Sequence, residues 1–401
     1  MESIRPRPGA IRVRIAGIAL VGVALAAMGP HRDAADAGVR YRVSARKIVG
    51  GLKLITVTDT KLGAEAKVLK VEPSSVLTVD IALATGILPG REKTSSLVAR
   101  HGAIAGINAS IGTSWGRPLG IFAEDGSLKS SPIAKGAAFA IDKAETNSYV
   151  GYHELRIVAK NLNTGAAWRV VDWNDQYPNR DRISVYTSAG GDVVKPPRYS
   201  CAVRVKPDGP MTWGRGQRGI WRAYRVDRKQ CGDDRLGLHG GIVFAARTGS
   251  RGAKKLMEVR KGHTMRVKWE LMWPGVMDVV AGSPILMQEG LVVVEQCDGY
   301  VCQRHPRTGV GATAAGKILL VTVDGRQSDS AGMTVVEFAR FFRWLGADRA
   351  LNLDGGGSTT MVLEGEVIND PSDPAGERPV TSGLLVLPGA DAKELTPLPP
   401  R

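Results

Sequence analysis

Cysteine and histidine are scarce in this chain: four and six among 401 residues. They are too few and too scattered for a zinc array. No C-x-x-C occurs, which excludes dithiol redox chemistry, and no H-x-x-x-H spacing supports a zinc hydrolase. Internal repeats are also missing, and the 49 glycines and 22 prolines follow no collagen-like period. They predict many turns and short strands instead. Acids are outnumbered by bases, 39 to 54, for a formal charge of +15. A surface that basic favours polyanionic partners: nucleic acid, anionic lipid or anionic cell-wall polymer. What is present is ordinary for a globular protein, with 43% apolar and 23% charged residues. That composition excludes both a disordered chain and a polytopic membrane protein.

Arg5, Arg7, Arg12 and Arg14 precede an apolar run of fifteen residues, Ile15 to Gly29. The run is short for a bilayer span and suits a signal peptide, with small-residue sites at Ala24-Leu25-Ala26 and Ala35-Asp36-Ala37. Residues 1–37 are therefore expected to be a cleaved signal peptide, with no stable membrane insertion afterwards. They carry five arginines and three acids, so the remainder keeps a charge of +13. A secreted, extracellular or wall-associated location follows. It disfavours nucleic acid as partner and permits disulfides. Of the three possible pairings, Cys201–Cys231 with Cys297–Cys302 is preferred.

Three stretches are expected along the rest of the chain: a catalytic domain over 38–388, an elaborated middle over 150–235, and a disordered tail over 389–401. Lys317 to Val323 is an apolar, β-branched strand that stops at Asp324-Gly325-Arg326. A helix follows: Thr334 and Glu337 form a capping box, Val335, Phe338, Phe342 and Leu345 recur at helical spacing, and Gly346 ends it. Ala350 to Leu353 is a second strand, stopping at Asp354-Gly355-Gly356-Gly357-Ser358. If both strands lie parallel in one sheet, Asp324 and Asp354 emerge at the same edge, where sheets of this kind place ligands. The expected class is α+β: a mixed sheet with a few packing helices, including this strand–helix–strand unit carrying the site loops.

Asp324 and Arg326 place a carboxylate and a guanidinium around a glycine, as a site acid or base beside an anion clamp would; alone, the tripeptide reads rather as an Asp-Gly turn with a solvated Arg. The glycine triplet allows backbone N–H groups to approach an anion, or serves as a flexible loop. Arg307, in His305-Pro306-Arg307-Thr308-Gly309, could grip phosphate bidentately. Two other matches fail. Gly112 to Gly116 fits G-x-S-x-G but no helix follows, and Gly311 to Lys317 fits a phosphate loop but a strand follows.

The motifs H-P-R-T-G-V-G (305–311), V-D-G-R (323–326) and L-N-L-D-G-G-G-S-T-T-M (351–361) resemble the phosphodiester glycosidase family. So do A-G-I-N (105–108), P-L-G (118–120), D-G-S-L (125–128), A-G-S-P-I-L (281–286) and V-I-N-D-P-S-D (367–373) with Glu377-Arg378-Pro379. The family usually has a glycine-rich, aromatic stretch after Asn108; here Ala109-Ser110-Ile111-Gly112 stands there. The resemblance implies hydrolysis of a sugar-1-phosphodiester, such as N-acetylglucosamine-1-phosphodiester, at the glycosidic carbon–oxygen bond; charge and export together point to a sugar-phosphate linkage of an anionic wall or capsular polymer. The phosphomonoester leaving group is already acidic, so charge stabilisation outweighs general-acid help. Expected catalytic residues are Asp324, Asp354, Arg307 and Arg326. Gly355, Gly356 and Ser358 would bind substrate. Asn108 and Asn369 would bind sugar hydroxyls or orient a carboxylate. No cofactor is implied, although one aspartate could hold a divalent cation. The alternatives are a non-catalytic glycopolymer-binding protein and a phosphodiesterase that cuts phosphorus–oxygen.

Overall fold

The structure, a computed structural model, describes residues 41–389 apart from 75, 132–135, 143–146, 176–180, 192, 195–199, 215–218, 233–235, 272 and 296. The expected signal peptide and residues 390–401 of the expected tail lie outside the described residues.

The α+β expectation is overturned. Of the described residues, 50% are strand and 11% helix. Among the described residues there are three α-helices, Thr94–Arg100, Arg251–Met257 and Val335–Trp344. The difference arises in the middle of the chain. Strands Arg156–Asn161, Ala167–Trp173, Ile183–Tyr186, Ile242–Arg247, Ser200–Pro207, Ile220–Gly232 and Thr264–Glu270 pair in that order, and the last pairs back onto the first. That closes a seven-stranded barrel. Thr264–Glu270 shows why: every second residue is buried, the period of a strand with one wet face. Met265, Val267 and Trp269 join Ile157, Trp168 and Phe244 in the barrel core. Closure leaves these strands without free edges. Cys201 and Cys231 stand directly opposite on two of them and are disulfide-bonded, and Cys297 is bonded to Cys302.

The site is carried by a separate eight-stranded antiparallel sheet. Its order is Tyr41–Val49, Leu52–Asp59, Ala64–Val71, Ile318–Val323, Arg307–Ala312, Arg349–Asn352, Ile285–Gln288, Leu291–Val292. The helix Val335–Trp344 begins in the expected capping box, with Thr334 accepting from the Glu337 amide and Glu337 accepting from the Thr334 amide. Phe338, Phe341 and Phe342 bury one of its faces completely. The sheet receives that face at two glycines: a β-carbon at Gly309 would stand 2.8 Å from the Phe338 ring, and one at Gly311 would stand 2.9 Å from Phe342. A five-stranded sheet ordered Glu366–Val367, Met361–Leu363, Ala105–Asn108, Ser382–Pro388, Leu77–Leu83 completes the surroundings of the site.

Candidate active site

Ile318–Val323 and Arg349–Asn352 both run antiparallel to Arg307–Ala312, which lies between them. They are therefore parallel to each other, and Asp324 and Asp354 leave the same edge of the sheet. Arg307 starts the intervening strand at that edge, opposite Val323.

Asp324 is 5% exposed. Its amide donates to the Glu65 carbonyl, and its Oδ1 accepts from Asn369 Nδ2 and from the Asp370 amide, both at 3.1 Å. Burial pushes its carboxyl up to about 6 against the pull of those two donors. It lines a cleft of about 330 Å³ together with Glu65, Asp329, Asp370, Gln327 and Asn369. That volume suits a small ligand.

Asp354 is half-buried. Burial raises its carboxyl above the usual range, opposed by a hydrogen bond from Ser358 and by the charges of Arg378 and Arg91. The loop after it is shaped by close approaches. A β-carbon at Gly355 would stand 2.8 Å from the Pro306 carbonyl oxygen, and one at Gly357 would overlap the Asp373 carboxylate and the Arg378 guanidinium. Gly356, at φ +63°, lies against the Arg326 guanidinium, 3.1 Å from a β-carbon there. Two amides of the expected anion cradle are engaged within the protein. The Gly356 amide donates to Pro306 and the Ser358 amide to Gly355, so the triplet lets charged side chains close in on the backbone.

The two arginines separate. Arg307 is 3% exposed; its Nε donates to the Met333 carbonyl and its Nη2 to the carbonyls of Val301 and Gln303. Burial, with Arg326 adding repulsion, brings its guanidinium down to about 10. It anchors the disulfide-closed loop rather than presenting an open fork to phosphate. Arg326 is exposed, in a left-handed backbone conformation at φ +62°. Its Nε donates to His305 Nδ1 and its Nη2 to the Tyr300 hydroxyl, at 3.3 and 3.2 Å. His305 Nε2 lies 2.8 Å from the Tyr300 carbonyl, which assigns the proton to Nε2 and leaves Nδ1 to accept from Arg326. His305 and Tyr300 thus hold Arg326 in place.

Both asparagines bond to groups within the protein, and Asn369 also lines the cleft. Asn108 is fully buried: its Nδ2 donates to the Asp354 carbonyl, and its Oδ1 accepts from the Thr308 hydroxyl and the Thr360 amide. Asn369 Oδ1 accepts from the Met361 amide, while Nδ2 donates to Asp324 and to the Thr359 carbonyl. Of their two expected roles, orienting the aspartates is the one this geometry fits.

Glu65, Asp370, Arg91, Arg378, His305 and Tyr300 were not among the expected site residues. Asp370, Arg378 and His305 stood inside quoted motifs, so a signal existed. Glu65 and Arg91 come from distant segments and had none. The described carboxylates that converge most closely are Asp80, Asp125 and Asp278, with ligand oxygens within 4.8 Å of one another; none of them lines the cleft.

The sequence model of the family described as phosphodiester glycosidase matches residues 226–387. Bovine N-acetylglucosamine-1-phosphodiester alpha-N-acetylglucosaminidase is 43% identical over 109 residues, 24% of this chain and 20% of that protein. The SPbeta prophage-derived uncharacterized protein YomE of Bacillus subtilis (strain 168) is 39% identical over 83 residues, 21% of this chain and 13% of that protein. The matched stretches thus span a fifth or less of these curated relatives. The fold is shared with a hypothetical protein from Synechocystis, with a TM-score of 0.68 at 20% identity, covering 87% of this chain and 68% of the other. Residues 226–387, the last part of the chain, are thus similar in sequence to the phosphodiester glycosidase family.

Proposed function

We propose that this protein is a secreted hydrolase that cleaves a sugar-1-phosphodiester at the glycosidic carbon–oxygen bond. The observation that carries the reading is the buried Asp324, raised to about 6, on a cleft whose other ionisable groups are Glu65, Asp329 and Asp370. A carboxyl tuned toward neutrality can exchange protons at working pH. Acids around a sugar favour the positive charge that grows at its anomeric carbon. The same acids repel phosphate. The leaving phosphoryl group therefore lies outside them, toward Arg326, with Arg378 and Arg91 behind it beside Asp354.

In this reading Asp324 steadies the oxocarbenium-like centre or activates water. The water oxygen bonds to the anomeric carbon and gives up a proton, to Asp324 where it acts as base and otherwise to solvent; the bond from that carbon to the phosphoryl oxygen breaks, and the phosphomonoester leaves with the electron pair. Arg326 neutralises it, and Asp354 with Ser358 shapes the loop against which Arg326 rests. Arg307, Asn108 and Asn369 act as positioning residues. Two disulfides, and no helix among the described residues long and apolar enough to cross a membrane, fit export. N-acetylglucosamine is the first sugar to try, because relatives of 43% identity over short stretches are named for it.

The test is hydrolysis of a panel of sugar-1-phosphodiesters in oxygen-18 water, read by mass spectrometry. Label in the free sugar supports carbon–oxygen cleavage. Label in the phosphate makes the protein a phosphodiesterase. An absence of turnover alongside tight polymer binding makes it a glycopolymer-binding protein.

A further inference from the structure

The barrel's outer wall carries a pattern that the cleft does not use. Residues paired directly across strands share a face of the sheet. Ile157, Ala159, Val267 and Trp269 point into the core, so their alternates point out. Lys160 stands opposite Arg266, Val158 opposite both Lys268 and Arg169, and Lys268 opposite Trp221. Four adjacent strands therefore present Arg169, Lys160, Arg266 and Lys268 on one wall, with Trp221 beside them. The Arg266 guanidinium lies over the Trp221 ring, 5.7 Å from its centroid.

Only one acid, Glu270, stands on the outward positions of the paired stretches, and it is engaged by Lys268 and by Arg156. Like charges placed directly opposite, as Lys160 and Arg266 are, destabilise a sheet. An anion laid across the wall removes that repulsion. Arg169, Lys160 and Arg266 lie on three successive strands, so they span about 10 Å at the usual strand spacing. That is a row of cations beside a flat ring, suited to a flexible chain that alternates phosphate with sugar. Duplex DNA offers no exposed ring face to Trp221.

We propose that this wall of the barrel binds a sugar-phosphate polymer, with phosphodiesters against Lys160, Arg169 and Arg266 and a sugar ring on Trp221. The polymer's identity rests on the phosphodiester glycosidase reading; the existence of a polyanion wall does not. The wall holds the chain while the cleft acts on one linkage of it.

The experiment measures binding of the full chain to poly(N-acetylglucosamine 1-phosphate) by calorimetry across a salt series. The background is Asp324→Asn, so that the polymer stays intact. The triple variant Lys160→Gln, Arg169→Gln, Arg266→Gln is compared with a matched control on the helix Arg251–Met257, namely Arg251→Gln, Lys254→Gln, Lys255→Gln. With about 0.7–0.9 counterions released per phosphate contact, the wall triple should lower the slope of log K against log salt by roughly 2, and the affinity roughly tenfold or more at low salt. The control should change neither. Trp221→Ala should weaken the glycan polymer several-fold at unchanged slope and leave polyglutamate binding alone, and Trp221→Phe should restore most of the loss. Thermal melts confirm that each variant is folded.

Equal loss in the control triple would mean diffuse charge attraction and would overturn the proposal. So would tighter binding of duplex DNA than of the glycan polymer, or a Trp221→Ala variant that binds normally. Binding without turnover by the unmutated chain would sink the glycosidase reading and leave the wall standing; turnover without wall-dependent binding would do the reverse.

Discussion

Asn369→Ala should move the titration of Asp324 upward. In the native protein Asn369 Nδ2 donates to Asp324 Oδ1 at 3.1 Å, and the Asp370 amide donates to the same oxygen. Both bonds favour the ionised carboxyl, and burial opposes them, leaving it at about 6. A hydrogen bond to a charged acceptor contributes about 1.5–3 kcal/mol. At 1.36 kcal/mol per pH unit, its loss raises the carboxyl by about one to two units, to about 7 or 8. The limb of the pH–rate profile that reports Asp324 should shift by that amount, whether Asp324 works as base or as acid. A carbon-13 titration of the Asp324 carboxyl gives the same reading without any substrate. The variant also orphans the Met361 amide and the Thr359 carbonyl, at about 1–3 kcal/mol each. Urea melts are therefore needed to choose conditions where it is folded. The native Asp324 binds its proton more tightly than the unfolded chain does, so this carboxyl supports folding most below about pH 4 and progressively less as pH rises through its folded value. A folded Asn369→Ala protein whose limb and carboxyl titration stay at the wild-type position would refute the reasoning.

Arg326→Ala should lower kcat about 10- to 100-fold through loss of one charge-assisted contact to the leaving phosphate. Tyr300→Phe should cost less, because it frees Arg326 without removing its charge; steady-state kinetics on one phosphodiester rank the two. Replacing both Cys201 and Cys231 by Ser opens a link across 30 residues of sequence and should cost about 3–4 kcal/mol on the chain-entropy account, read as a lower urea midpoint. Gly309→Ala drives a β-carbon to 2.8 Å from Phe338 and should cost about 1–3 kcal/mol, whereas the same change at the open Gly86 tests only its positive φ. Asp278 is pushed up to about 8 by burial, with the charge of Asp80 adding. Its folded value lies above its unfolded one, so its contribution to stability falls as pH rises from about 4 to about 8. Asp278→Asn should then flatten that fall, by about 1–3 kcal/mol at pH 9, in melts run with a chelator and again with calcium.

The strand–helix–strand unit was legible because each signal was local. A β-branched run, a capping box and a terminal glycine specify their own elements, and the two aspartates end up at one sheet edge as the crossover argument required. The strand between them was harder to foresee. Its Gly309 and Gly311 weaken it as a strand on local grounds, and they are there because aromatic rings of a helix press on that spot. Barrel closure was illegible for a related reason. Thr264–Glu270 alternates in the same way whether its partners form an open sheet or a ring, and the ring needs pairings between far-apart segments, such as Arg156–Asn161 with Thr264–Glu270. At the site, burial was the part that the sequence did not show. An Arg and two Asn in a glycine-rich motif suggest ligand contacts; the structure buries Arg307, Asn108 and Asn369 among backbone groups that they hold in place.

The charge distribution gives these placements a common sense. A chain of net charge +15 would be expected to have a basic catalytic cleft if its task were to grip phosphate. Instead the cleft around Asp324 is lined by carboxylates, and none of its lining residues is basic. In the proposed reaction, a phosphate drawn to the protein by its overall charge is disfavoured inside the cleft, while an uncharged sugar is admitted. The field then has opposite signs on the two sides of the linkage that joins them. Heterolysis of that linkage moves positive charge toward the acids and negative charge toward Arg326. The same field opposes attack of an anionic nucleophile on phosphorus from within the cleft. This asymmetry, more than any single residue, is what supports the proposed carbon–oxygen cleavage.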